Sequence, residues 1–228
     1  MNEWDIYREW LPPVAWRHAV ACCWEQEVGS VRLQRVLPDG HADLLIFEDG
    51  RTQLVGLHDH VALPVLAAGT RLHGVRFRPA AVGTALHISA SALRNQTVAF
   101  EDVVGARRMR KLRDPATLDA WVRSIEPDAR ATTAVGLLSS HSVTDAAQLL
   151  GVTRRHLGRL MLDHVGLSPK AFQRIQRFQQ FVRAVDAGTS LAAAAADAGY
   201  ADQPHVTREV CDFSGVTPAI LASERRHS

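Results

Sequence analysis

Two groups of side chains in the last hundred residues are of the kind that grips phosphate and base edges. Arg154, Arg155 and Arg159 form the first, and Gln203, His205, Thr207 and Arg208 the second. A guanidinium presents a planar fork of donors that fits guanine O6 and N7, or two phosphate oxygens, at once. On a helix Arg155, Gly158, Arg159 and Leu162 share one face, which is therefore basic and sterically open at the glycine. Arg154, at the helix start, is placed to touch phosphate, a contact that positions without specifying sequence. The competing readings are a solvated arginine pair and, for Arg208, an internal salt bridge to Asp212 at i+4.

The first hundred residues offer a second set. His41, His58, His60 and His73, with Trp16 and Trp24, are candidate effector-lining groups. His58-Asp59-His60 puts two imidazoles on one face of a strand, a geometry that suits a metal. The downstream Glu and further His that would complete such a site are absent, so neither a metal nor another cofactor is expected. Surface histidines and core tryptophans are the plain alternative. Cys22 or Cys23 with His18 would make a thiol sensor, against the simpler reading of core cysteine. Asp39 and Asp43 read as a turn acid and a structural acid, with no nucleophile or water site to make them catalytic. No enzymatic activity is expected.

The elements that must position the arginines come as an internal repeat. Gly166-Leu167-Ser168-Pro169 returns at an offset of 49 as Gly215-Val216-Thr217-Pro218, and the same shift carries His156, Leu157 and Arg159 onto His205, Val206 and Arg208. Val143, Ala146, Ala147 and Leu150 map onto Leu191, Ala194, Ala195 and Ala198 at an offset of 48, so the second copy holds one more residue near Gly199-Tyr200-Ala201-Asp202. Each copy reads as helix, glycine turn, helix. In the first, Ser142 and Asp145 have capping-box spacing, Gly151 supplies the turn, and Thr153 caps the second helix. In the second, Asp202 caps, while Val206, Val210 and Phe213 point inward. Between the copies Ser168-Pro169 starts a helix to about Ala187, whose stripe is Phe172, Ile175, Phe178, Val182 and Val185. At 1.5 Å per residue it spans roughly 28 Å, a rod able to hold two reading helices about one turn of DNA apart.

Residues from about 140 to 226 resemble the DNA-binding domain of AraC/XylS-type transcription regulators. Gly199-Tyr200-Ala201-Asp202-Gln203, Arg208 and Gly215-Val216-Thr217-Pro218 carry the likeness. Val206, Val210 and the alanine-rich run Leu191 to Ala198 depart from that family's larger apolar residues. Leu37 to Leu45 and Gly74 to Ala80 are similar to the reduced cupin-like β domain often found ahead of this module. The resemblance implies double-stranded promoter or operator DNA as partner. It leaves room for RNA polymerase, a small-molecule effector and a homodimer.

The expected fold is α+β: an N-terminal antiparallel β-barrel, cupin-like, with short helices, and a C-terminal all-α domain of two helix-turn-helix motifs joined by a long helix. Strands are expected over 15–24, 31–37, 43–47, 53–56, 61–66 and 71–78, a short helix over 79–87, and helices near 105–112 and 115–125. The domains are placed at 1–126 for the sensing or dimerisation part, 127–139 for a linker and 140–228 for the DNA-binding part. Within the last, the motifs fall at about 142–164 and 190–214 and the joining helix at about 169–187.

Composition agrees with that division. From residue 130 onward there are 11 Lys and Arg against 8 Asp and Glu, a net of +3, whereas the preceding part is −1. The 46% of hydrophobic residues supports ordinary cores; no long apolar run or leader marks a membrane protein, and three cysteines make no disulfide framework. A cytoplasmic, one-component regulator is the leading expectation. Two rivals stay open: a metal-binding cupin-like enzyme, and an interaction module free of DNA, to which Val206, Val210 and the alanine-rich helix lend support.

Overall fold

Short β-branched and apolar runs become eight strands in the computed structural model, which describes residues 6–226: β1 (Ile6–Trp10), β2 (Val20–Glu27), β3 (Arg32–Leu33), β4 (Ala42–Phe47), β5 (Thr52–Val55), β6 (Val65–Leu66), β7 (Arg71–Phe77) and β8 (Thr97–Ala99). Six form one antiparallel sheet in the order β1-β2-β7-β4-β5-β8, and β3 pairs with β6 alone. One register row, Cys23, Val75, Leu44 and Leu54, is buried on one face. Helices α1 (Val82–Leu86), α2 (Phe100–Val104), α3 (Ala106–Leu112) and α4 (Pro115–Arg123) complete this core, with Trp121 against Phe77 and Phe100. On the opposite face Trp24 lies over Gly74, where any Cβ would collide with the indole.

The helical part runs α5 (Ala129–Leu138), α6 (Val143–Leu149), α7 (Arg154–His164), α8 (Pro169–Asp186), α9 (Leu191–Asp197), α10 (Gln203–Ser214) and α11 (Pro218–Arg226). Ser142, Thr153, Ser168, Ser190 and Asp202 each accept a hydrogen bond from the backbone N–H three residues on. The repeat is visible in the helix ends. Gly151 N–H donates to Gln148 O and Val152 N–H to Ala147 O; one copy later Gly199 N–H donates to Ala196 O and Tyr200 N–H to Ala195 O. Both glycines have positive φ, 69° and 79°, as this helix stop requires.

Several expectations are corrected. The sheet is open among the described residues, and no barrel closes. The segments expected as full strands at 31–37 and 61–66 pair over two residues each, with a single further bridge between Val36 and Ala62. Pro38 ends the first and Pro64, without an N–H to donate, interrupts the second. Residues 14–16 are a 3-10 turn rather than strand, since Pro13 accepts from Trp16 N–H. β1 and β8 lie outside the expected strands. The expected linker 127–139 is largely α5: Asp128 caps it through Ala131 N–H at 2.8 Å, and Ala131, Ala134 and Leu138 are buried against the helices that follow. Small residues at i, i+3 and i+7 are a helix face as readily as a linker composition.

Candidate nucleic-acid interface

Leu157 and Met161 are fully buried and fix the rotation of α7, so Arg154, Arg155 and Arg159 come out on its exposed side. Among the described residues none of these three guanidiniums has a hydrogen bond or ion pair. Towards the other end of α7 the same side is covered. The Ser89 hydroxyl lies 3.2 Å from Asp163 Oδ1, and Leu162 is half-buried. The open part of this side is thus the N-terminal half of the helix.

On α10, Val206, Val210 and Phe213 are buried, which leaves Gln203 and Arg208 exposed and Thr207 partly so. The small valines share one core with phenylalanines of α8. Phe178 lies 5.2 Å from Phe213, and Phe181, absent from the expected stripe, is buried 6.2 Å from Tyr200. Asp212 pairs with Arg174 of α8 at 3.2 Å, and Arg208 makes no ion pair among the described residues. His205 is placed otherwise. Its Nε2 is 3.2 Å from Glu209 and 3.4 Å from Arg177, and its ring packs against Tyr200. Glu209, only 3% exposed, sits among Arg174, Arg177 and His205 and ties α10 to α8. This carboxylate is not among the expected site residues; the signal for it is the i, i+3 pair Arg174 and Arg177 on the joining helix. Beside it a groove of about 460 Å³ is lined by Arg174, Thr207, Arg208 and Cys211.

Comparison with known families matches residues 146–223 to a helix-turn-helix domain and residues 8–99 to a domain of unknown function, DUF6597. Residues 146–223 thus make up a helix-turn-helix domain. Curated proteins give no match. Among solved structures, ToxT from Vibrio cholerae strain O395 is similar at 10% identity over 95% of this chain and 97% of that one, with a TM-score of 0.47. A second crystal form of ToxT scores 0.46 over 95% and 98%, and an apo variant 0.45 over 97% and 98%, each at 10% identity.

The N-terminal candidates do not converge on one point. Trp24 donates to Asp43 at 2.8 Å, Asp43 pairs with Arg76 at 3.1 Å, and Arg76 reaches Asp39, which holds His41. Trp24 and His41 are therefore joined through a polar network. Burial alone would raise the Asp39 carboxyl, but His41 and Arg76 overcome it and hold it at about 2, whereas burial keeps Asp43 above the usual carboxylate range. Trp16 lies elsewhere, donating to Asp119 of α4 at 2.9 Å. His58 and His60 stack at 6.3 Å in a loop, not on a strand, because residues 56–57 bond to the turn at 95–96 instead of to a neighbouring strand. His73 is exposed on β7, and His18 is exposed too. Burial pushes the Cys22 thiol up to about 11, and Cys23 is buried, contrary to the needs of a reactive thiol. Among the described residues no three His, Cys, Asp or Glu side chains come together to hold a metal, and no helix is long and apolar enough to cross a membrane.

The sheet part of the chain touches both motifs. Gly166, after α7, lies against the Ala90 carbonyl and Leu57. Arg35 pairs with Glu224 at 2.9 Å and donates to the Ser214 carbonyl, while Pro38 O accepts from Gln179 of α8 at 2.8 Å.

Proposed function

We propose that the chain is a DNA-binding transcription regulator of the AraC type that reads one operator with α7 and α10 in successive major-groove segments on one face of the duplex, the 18-residue α8 (about 27 Å at 1.5 Å per residue) setting their separation. Arg155, Arg159, Gln203, Thr207 and Arg208 face base edges or phosphate, and Arg154 a phosphate. The observation that carries this reading is that Arg159 and Arg208, equivalent positions of the repeat, are both exposed and without an ion pair among the described residues. His205 is assigned a positioning role through Glu209. The sheet domain, of the reduced cupin-like kind, is the sensing part, and the network joining Trp24 to His41 is its polar centre. In this reading the protein works in the cytoplasm, without catalysis, as a homodimer that binds a small-molecule effector and engages RNA polymerase.

The test is selection of duplexes from a random pool, followed by titration of variants on the recovered site. Arg155→Ala should cost about 1–3 kcal/mol and relax base preference at one position, whereas Arg154→Ala should weaken all sequences alike and flatten the salt dependence. Both variants binding as the parent does would end the assignment.

A further inference from the structure

The cations assigned to reading DNA leave another group on α3. Arg107, Arg108, Arg110 and Lys111 lie on this helix and Arg113 directly follows it. Arg107, Arg110, Lys111 and Arg113 are exposed, and Arg108 is half-buried beside the Trp121 ring. Among the described residues none of the five side chains makes a hydrogen bond or ion pair. Met109 and Leu112 are buried and anchor the helix, so its four charges and Arg113 are not needed to hold it in place. Like charges so close repel one another, and among the described residues no carboxylate pairs with any of them. Arg107, Arg108 and Lys111 also line a depression of about 400 Å³, floored by Val104, Gly105 and Ala106. Three cations facing one hollow suit an anion of phosphate size with several acceptor oxygens.

In chain order the patch stands two helices ahead of the first motif, with α4 and α5 between. α3 packs on α4, whose nine residues span about 14 Å at 1.5 Å per residue, and five residues later α5 packs on α6, α7 and α8.

We propose that α3 is an additional DNA contact that seats backbone phosphate in the flank next to the segment read by α7. This rests on the reading of α7 and α10 given above and adds a sequence-independent part to it. The experiment uses the full chain and the site recovered by selection, in duplexes trimmed from about 40 base pairs to about 20, roughly two helical turns. Affinity is measured by fluorescence anisotropy across a salt series for the parent and for the triple variant Arg107→Gln, Arg110→Gln, Lys111→Gln. On the long duplex the slope of log K against log salt should fall by about 0.9 for each phosphate no longer neutralised, so by roughly 1 to 3. On the short duplex the variant should match the parent, which also shows that it is folded. An unchanged slope on the long duplex overturns the proposal, as does an equal weakening on both lengths. If DNA binding is unchanged but transcription with purified RNA polymerase drops, the patch serves an acidic protein surface and the proposal falls. A parent that binds neither duplex refutes the prior reading of α7 and α10, a result distinct from all of these.

Discussion

Three glycine-to-alanine substitutions separate backbone strain from contact between the two parts of the chain. Gly166 and Gly215 are equivalent in the repeat and both have positive φ, 84° and 73°. An alanine at either position incurs the left-handed penalty, about 1–2 kcal/mol. Their surroundings differ. A Cβ on Gly215 would meet Arg35 Nη1 and Val61 Cγ1 at 3.5 Å, ordinary contact distances. A Cβ on Gly166 would stand 2.9 Å from the Ala90 carbonyl oxygen and 3.1 Å from its carbon, so backbone must move. Such overpacking costs about 1–3 kcal/mol, and Gly166→Ala should therefore lose roughly 2–5 kcal/mol against 1–2 for Gly215→Ala.

Gly83 isolates the contact alone. It lies in α1 with ordinary φ, and its Cβ would be 2.5 Å from the Asp163 carbonyl oxygen. Gly83→Ala gains about 0.5–1 kcal/mol of helix preference and should still be destabilising through the collision. Urea unfolding gives the stabilities, and limited proteolysis between α4 and α5 reports whether the two parts have come apart. Gly83→Ala and Gly166→Ala should speed that cleavage, and Gly215→Ala should leave it unchanged. Equal destabilisation at Gly166 and Gly215, with no change in cleavage, would refute the claim that the end of α7 is docked on the sheet domain.

Glu209→Ala removes the carboxylate that Arg174, Arg177 and His205 share; because the arginines are partly exposed, the expected destabilisation is about 1–3 kcal/mol, below that for a fully buried pair, and a urea midpoint equal to the parent's would contradict the arrangement. Asp39 has a folded pKa of about 2, below its usual 3.8, so its ionisation stabilises the fold at neutral pH and this contribution is lost as pH falls through that interval. Asp39→Asn should lack that component, giving a shallower decline of the urea midpoint between about pH 4 and pH 2 than the parent shows. Cys22 and Cys23, their thiols raised by burial, should react with iodoacetamide at pH 8 many-fold more slowly in the native protein than in urea; rapid native labelling of either, read by mass spectrometry, would restore a thiol sensor.

The helical half is legible in the sequence because its signals are local. Ser142, Thr153, Ser168 and Asp202 act through hydrogen bonds three residues away, and Gly151 and Gly199 through their own backbone, so spacing alone places them. The place of His205 is not legible: helix geometry puts it near the outer face, whereas Glu209 and Tyr200 draw its ring inward, and that depends on the distance between α8 and α10. Nor is α5, because alanine and threonine at 129–138 look like spacer until α7 and α8 supply something to bury against. In the sheet domain β1 and β8 leave little trace in the sequence because an edge strand needs only one partner, and β1 is exposed along its whole length. The pairing of β3 with β6 joins segments some thirty residues apart, and no short-range pattern distinguishes it from a continuation of the main sheet.

Under the proposed function, the contacts made by the sheet domain are the route by which a signal would reach α7 and α10. In each motif the point gripped is the same, the glycine turn that follows the reading helix: Gly166 by Ala90 and Leu57, Gly215 by Arg35 and Val61. Leu57 and Val61 are the two ends of one five-residue loop, the loop that carries His58, Asp59 and His60. The separation of α7 and α10 is thus set twice, by the rod α8 from within and by this loop across the two turns. The loop is pinned in turn at Asp59, whose N–H and carboxylate bond the Asn95 side chain at 3.0 and 2.9 Å. A rigid rod by itself would fix the separation in every state of the protein. A second brace belonging to the sheet domain makes the placement of the turns depend on the conformation of that domain, and under the proposed function a ligand that moved residues 57–61 would alter the fit to the operator.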